Sequence, residues 1–408
     1  MLFASSYTHH LPKVGIAVLF AFLPVLTAPF VAPAQPVAVP VNGFYIRTLP
    51  SGYPAQERFL SGLKDSGADQ IILELPATPD GKTDTALLSS AVYLAHRAGL
   101  KISVVMPTRQ LPGVIAEHPE WEDLHYDLSS GSVRRSGQLD LFHPEAFDRL
   151  IKLAKTIAAY SVDGILLGSD FQYRATDGLG TTAVAVGAQR LGGPVGPKDM
   201  FPNISKGPNG PVIDRYGPRF TAWAAMKRDR MTEVVAAVQR AARSVKPGIT
   251  VGVPVPLVLP VAVPAELLAR YSFDINAYRQ LGVDHYWSLL DYQDLRERQT
   301  LTVRQCMEVL SRTARAAITT VREPERLILV MPAVTTSGKA LTLSEIEEAT
   351  ELARQCGRTG IAYVVGPGAV PPPALTKKLF RPEKTDSEAC IACDAQDRAR
   401  KNGKGGSL

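Results

Sequence analysis

Carboxylates and aromatic residues gather where short β-rich runs of the sequence end. Tyr45 and Arg47 close the first such run, Glu74 closes the second, Asp170 follows the fourth, and His285, Tyr286, Trp287 and Asp291 surround the sixth. Aromatic faces stack on sugar rings while carboxylates bind hydroxyls or move protons, and two carboxyls flanking a glycosidic bond form the usual hydrolase constellation. Asp170 emerges from the apolar run Ile165-Leu166-Leu167-Gly168-Ser169, which marks it as a general acid, or else as an Asp capping a turn. Glu74 shares a strand face with Ile72 and is expected to point toward the core, as a second catalytic carboxylate or as the partner of Arg47 or Arg109 in a salt bridge. Asp291 is the third catalytic candidate. Asp163, at the opposite end of the run that precedes Asp170, is expected to be structural.

Other chemistries lack their residues. The chain has no Gly-x-Ser-x-Gly, no Walker Gly-Lys pair and no His-Glu-x-x-His, and His96, His118, His125, His143 and His285 are scattered without metal-ligand spacing. No cofactor or metal is therefore expected. Asp177 to Ala183 carries the letters Gly-x-Gly-x-x-Ala but lies in a Gly/Pro-rich stretch with no evident helix after it, and Gly366-Pro367-Gly368 reads as a plain turn or a phosphate cradle.

These residues need a scaffold that brings strand ends together. Eight β-rich runs, at residues 43–48, 70–76, 101–107, 162–169, 249–254, 283–290, 326–331 and 360–365, alternate with amphipathic helical stretches. The count predicts an α/β fold of the (β/α)₈ TIM-barrel type, in which the C-terminal ends of the strands build the active site. A doubly wound open sheet is the competing fold, but the first strand runs into Arg47-Thr48-Leu49-Pro50-Ser51-Gly52 without a phosphate-binding fingerprint. Helix starts are signalled by capping boxes at Thr302 with Gln305 and Ser344 with Glu347, and helix ends by Gly99, Gly282 and Gly360. Long loops follow the third strand (Thr108 to Phe142) and the fourth (Phe171 to about Pro218), too long to be mere connectors.

The two ends of the chain differ from its middle. Residues 1–34 read as a secretory signal peptide: Lys13, an apolar stretch from Val14 to Val31, then Ala32-Pro33-Ala34 before Gln35; an uncleaved membrane anchor is the rival. The barrel is expected over 35–370, and the protein is expected to be secreted or periplasmic. Residues 371–408 form a polar tail whose Lys and Arg contribute to the net charge of +6; it offers a peripheral contact to an anionic membrane or polymer, or is a solvated end. No nucleic-acid surface is indicated. Cys306 and Cys356 lie in helical patterns and are expected to be buried thiols, while Cys390 and Cys393 have redox or metal spacing in a polar tail without the surrounding pattern, with a local disulfide as the alternative.

Three segments carry a resemblance. Pro119-Glu120-Trp121, Leu139-Asp140-Leu141-Phe142-His143-Pro144-Glu145 and Val162-Asp163-Gly164-Ile165-Leu166-Leu167-Gly168-Ser169-Asp170-Phe171 resemble the glycoside-hydrolase-like barrel proteins. Among these the chain looks most like the C-terminal hydrolase domain of the periplasmic poly-β-1,6-N-acetylglucosamine deacetylases. Glu74 to Gly81 sits where that family carries an Asp-Pro-Asp-Gly loop, which brings in Asp80, and Asp284 to Tyr292 resembles its sixth-strand segment. That family has a His-Asp-Asp cluster after the fourth strand. This chain has Gly168-Ser169-Asp170, so only the second Asp is carried over. The resemblance implies a protein that cleaves or grips an amino-sugar exopolysaccharide of the partly deacetylated poly-N-acetylglucosamine type, with Tyr45, Arg47, Asp80, Arg109, Trp121, His285, Tyr286 and Trp287 contacting the polymer. Deacetylation itself is not expected, because the metal-binding deacetylase half is not in this sequence. A non-catalytic polysaccharide-binding or export-accessory protein is the alternative.

Overall fold

The computed structural model describes residues 40–75, 85–207, 210–256, 264–290, 302–333, 341–354 and 359–366. All lie within Ala38–Leu408, one of the two units into which the chain divides. The expected signal segment, the polar tail, Asp80, Asp291, Cys356, Cys390 and Cys393 lie outside the described residues.

Eight strands close into a parallel barrel: β1 (Asn42–Ile46), β2 (Gln70–Glu74), β3 (Lys101–Met106), β6 (Gly164–Leu167), β9 (Thr250–Pro254), β10 (His285–Leu289), β11 (Leu327–Pro332) and β12 (Gly360–Val365). Each pairs with its neighbours in chain order, and β12 returns to β1 with Asn42 opposite Ile361. Closure leaves the barrel itself without an edge strand. The fold is a (β/α)₈ TIM barrel, as the eight runs predict, and not the competing open sheet. Strand residues alternate between two apolar layers. Tyr45, Ile72, Val105, Leu166, Trp287, Val330 and Val364 fill the barrel interior. Phe44, Ile71, Val104, Ile165, Tyr286 and Leu329 face outward and pack under the helices.

The helices bury the faces that their spacing predicts. In the helix Pro144–Ala159, Ala146, Leu150, Ala154, Ile157 and Ala158 are buried, and each fully buried Leu or Ile contributes about 2 kcal/mol of transfer free energy. Its neighbour is the long helix Phe220–Val245. Thr302 and Gln305 form the expected capping box at the start of the helix Val303–Val321. The second box is shifted by two residues. Thr342, not Ser344, caps the helix Leu343–Arg354: its Oγ1 accepts from the N–H of Glu345 at 3.3 Å while Glu345 Oε2 accepts from the N–H of Thr342 at 2.9 Å. Both Thr342 and Ser344 have an acid three residues on, and the helix takes the earlier pair. Gly99 and Gly282 end helices at φ 75° and 65°, as expected. Gly360 serves differently, since a Cβ there would lie 2.8 Å from the backbone nitrogen of Val41, so the absent side chain lets β12 close on β1.

The two long loops contain structure of their own. After β3 come the short helix Pro112–Glu117, the turn Pro119–Trp121, and a hairpin of β4 (Glu122–Asp127) with β5 (Ser132–Leu139). After β6 come the helices Thr181–Leu191 and Pro197–Met200 and a hairpin of β7 (Asn203–Gly207) with β8 (Gly210–Arg215). The Gly-x-Gly-x-x-Ala stretch does open a helix, with Gly180 as its N-cap, contrary to the expectation from its Gly/Pro-rich surroundings.

Candidate active site

A cleft of about 640 Å³ opens at the C-terminal mouth of the barrel, over the ends of β6, β9 and β10. Its floor includes Pro254, Val255, Trp287 and Leu289. Its walls come from the segment after β6, through Ser169, Phe171, Gln172, Arg174 and Thr176, and from the two hairpins, through Leu128 and Ile213. Arg270 and Tyr271 close one side from the end of the helix Pro264–Tyr271. Apolar rings beside amides, hydroxyls and guanidinium groups suit a polyhydroxylated ligand, whose ring faces stack and whose edges hydrogen-bond.

Four of the anticipated residues meet at the mouth. The Tyr45 hydroxyl donates to Glu74 Oε2 at 3.0 Å, and Arg47 Nε lies 3.9 Å from the same oxygen. Across the barrel, the Tyr45 and Trp287 rings are 6.3 Å apart. Burial, with the Glu74 charge beside it, pushes the Tyr45 hydroxyl far up, so it remains a donor. The Trp287 indole N–H donates to the Leu167 carbonyl at 2.9 Å, which fixes the ring under the cleft. Glu74, with a side chain 42% exposed, is the one described carboxylate among the three catalytic candidates that faces this mouth without being enclosed.

Asp170 is placed as an anchor. Its Oδ2 accepts the backbone N–H groups of Thr108, Arg109 and Gln110 at 2.9, 2.6 and 2.7 Å, so one carboxylate oxygen pins the start of the segment after β3. Its Oδ1 sits where a Cβ on residue 168 would be, 2.3 Å away, which accounts for Gly168. The fold uses both features of the Gly168-Ser169-Asp170 sequence to hold loops in place.

The remaining anticipated contacts among the described residues are not brought to the mouth. Tyr286 points outward into the layer under the helices, and His285 stands at the first position of β10, at the opposite end of the barrel, where burial lowers its pKa. Trp121 is buried against His118, with ring centroids 3.8 Å apart. Arg109 is fully enclosed. Asp163, as expected, is structural: it accepts from the N–H of Ile102 and pairs with His96 and Lys246.

Arg109 belongs to a buried ionic knot that sequence spacing does not reveal. Its Nη2 lies 2.5 Å from Asp123 and its Nη1 3.3 Å from Asp177, and its guanidinium covers the Tyr173 ring at 3.8 Å. The Tyr173 hydroxyl donates to Asp140 Oδ1 at 3.3 Å. Asp123 also receives the N–H groups of Gly178 and Gly180, so the helix N-terminus opened by the glycine motif is filled by the protein's own carboxylate. Lys227, from the long helix, donates to the carbonyls of Arg174, Ala175 and Asp177 at 2.7, 3.2 and 3.1 Å. Burial pulls its ammonium down to about 8 and pushes the Asp123 carboxyl up to about 7 against the pull of Arg109. The knot joins the roots of both segments that wall the cleft. Among the described residues no grouping of His, Cys, Asp and Glu is arranged to hold a metal ion.

No protein-family model matches the sequence, and no curated protein matches it by sequence. In three dimensions the chain is similar to glycoside hydrolase barrels. The PgaB (BpsB) glycoside hydrolase domain from Bordetella bronchiseptica superposes with a TM-score of 0.63 at 13% identity, over 83% of this chain and 98% of that one. A β-galactosidase from the haloarchaeon Halorubrum lacusprofundi gives 0.56 at 12% identity, over 79% of this chain and 52% of that one. A β-galactosidase from Marinomonas ef1 gives 0.55 at 12% identity, over 88% and 60%. At such identities the likeness defines the fold alone, a (β/α)₈ barrel.

Proposed function

We propose that the protein is an exported polysaccharide-handling barrel that grips an amino-sugar exopolysaccharide in the cleft over β6, β9 and β10. The observation that carries this reading is the cleft itself: an aromatic and apolar floor, walled by polar side chains, at the strand ends of a glycoside-hydrolase-type barrel. The family resemblance of the sequence supports a polymer of the poly-N-acetylglucosamine type. The signal-like residues 1–34 support a secreted or periplasmic location, with the barrel over 35–370 and a polar tail over 371–408.

Gripping is favoured over cleavage because Asp170 gives one carboxylate oxygen to three backbone N–H groups and does not line the cleft. Hydrolysis is the second reading, and Glu74 carries it: it is part-exposed at the mouth and oriented by Tyr45, with Asp291 as the partner carboxylate. The two readings separate in one experiment. The mature chain, incubated with partly deacetylated poly-N-acetylglucosamine, is expected to bind the polymer without releasing reducing ends. Release that disappears in Glu74→Gln would establish hydrolysis instead. Failure to bind this or any other polysaccharide would overturn the whole proposal.

A further inference from the structure

The cleft wall that follows β6 is neither strand nor helix. From Phe171 to Thr176 the backbone is irregular, and Phe171, Gln172, Arg174, Ala175 and Thr176 all line the cleft. Irregular backbone must still find a partner for each carbonyl that it withdraws from water. The four carbonyls from Arg174 to Asp177 find theirs in two places. That of Thr176 accepts the N–H of Tyr126, on the first hairpin, at 2.9 Å. Those of Arg174, Ala175 and Asp177 converge on a single atom, Lys227 Nζ, at 2.7, 3.2 and 3.1 Å. An ammonium has three protons to donate, and three carbonyls take them.

Lys227 reaches this wall from the helix Phe220–Val245, and its side chain is fully enclosed. Enclosing an ammonium is unfavourable, and a Met would fill the same space without that cost. What the charge supplies, and a Met cannot, is a set of donors for three backbone oxygens. The wall is shaped to admit it. Gly178 has φ +89°, and a Cβ there would lie 2.9 Å from Lys227 Cδ. Asp177 brings opposite charge into the same turn: its Oδ2 accepts the N–H of Arg174 at 3.0 Å and lies 3.3 Å from Arg109 Nη1. The result is a cation ringed by backbone oxygens, supplied by the protein itself, directly behind residues that line the cleft.

Resting on the polysaccharide reading of that cleft, we propose that Lys227 is a positioning residue for the polymer: its ammonium is an internal cation around which the wall is formed, and saccharide affinity depends on it without contact between the two. A wall that is already fixed does not have to be ordered when the polymer arrives, so that entropic cost falls on folding and not on binding. A lysine with a structural role only would lower the melting temperature and leave the affinity of the folded molecules unchanged.

The test is rescue by the missing atoms. Propylammonium restores what Lys227→Ala removes, and tetramethylammonium has the charge without protons to donate. Melting temperature is measured first, then titration with partly deacetylated poly-N-acetylglucosamine well below it. Lys227→Ala is expected to melt lower and to bind at least about tenfold more weakly. Propylammonium should restore both, tetramethylammonium neither, and the wild type should respond to neither amine. Leu60→Ala, buried in the helix Tyr53–Asp65 across the barrel from β9, should melt lower with unchanged affinity and no response to propylammonium. If Lys227→Ala does not fold, Lys227→Met, which keeps the length of the side chain, carries the titration. Wild-type affinity in a folded Lys227 variant would overturn the positioning role while sparing the polysaccharide reading. Failure of propylammonium to restore melting would overturn the internal cation. A wild type that binds no polysaccharide would sink the polysaccharide reading and this inference with it.

Discussion

Asp170→Asn separates an anchor from an acid. The substitution keeps the shape of the side chain and leaves one oxygen to face Thr108, Arg109 and Gln110, but it removes the charge from three hydrogen bonds of 2.6–2.9 Å. Bonds to a charged acceptor contribute about 1.5–3 kcal/mol and neutral ones about 0.5–1.5, so the loss is on the order of 1 kcal/mol per bond and about 3 kcal/mol in all. For a large single domain each 1 kcal/mol moves the midpoint by roughly 2–4 °C, giving a fall of about 6–12 °C. Asp170→Ala leaves three N–H groups without an acceptor in a buried site and should cost more, about 5 kcal/mol. Thermal unfolding followed by circular dichroism reads both numbers, and saccharide titration on the same samples reads binding. A variant Asp170→Asn that melts with the wild type yet has lost saccharide cleavage would refute the anchor and restore the acid.

Further outcomes follow from the knot, the floor and the N-terminal end. Burial raises the Asp123 carboxyl to about 7, so the folded protein keeps a proton that the unfolded chain releases near its ordinary value of 3.8; the associated stability is complete below that value and is lost as pH rises through about 7. The melting temperature is thus expected to fall between pH 5 and pH 7.5, with a smaller fall in Asp123→Asn. Lys227→Met removes the donor shared by three carbonyls and should cost about 3 kcal/mol while weakening saccharide binding, which melting curves and titration read together. Trp287→Ala empties the barrel interior beneath the cleft and should cost about 3–5 kcal/mol by chemical denaturation, with loss of saccharide binding. Mass spectrometry of exported protein should find a chain beginning at Gln35; one beginning at Met1 would make the N-terminal segment an anchor.

The barrel was legible because its signals are local. Each strand is a run of β-branched and aliphatic residues, and all eight fall within two residues of their expected starts. The helical faces follow a 3.6-residue period. The site was legible only where alternation along a strand decides direction: Tyr45 and Glu74 reach the mouth because they continue the inward faces of β1 and β2. In β10 the same rule divides neighbours. His285, Trp287 and Leu289 turn inward and Tyr286 outward, so three consecutive candidates cannot share one ligand. Arg174, Arg270 and Tyr271 were not singled out, although the loop that carries Arg174 was marked by its length. Nothing in the spacing of Arg109, Asp123, Asp140, Asp177 and Lys227 reveals their meeting, because three separate segments must fold before the charges find one another.

The ionic knot fastens the first hairpin at its root, through Asp123, to the segment that later forms the second, while Val133 on the first hairpin and Val212 on the second stand exposed. Residues at such exposed positions exchange contacts with water, not with the core, so changes there should be nearly neutral for stability. A lineage carrying this barrel can therefore alter the outer rim of its cleft by point changes and short insertions while the ionic knot stays where it is. Adaptation to a new polymer would proceed from the hairpin tips inward, and a laboratory library confined to those tips should recover altered ligand preference at a high yield of folded variants.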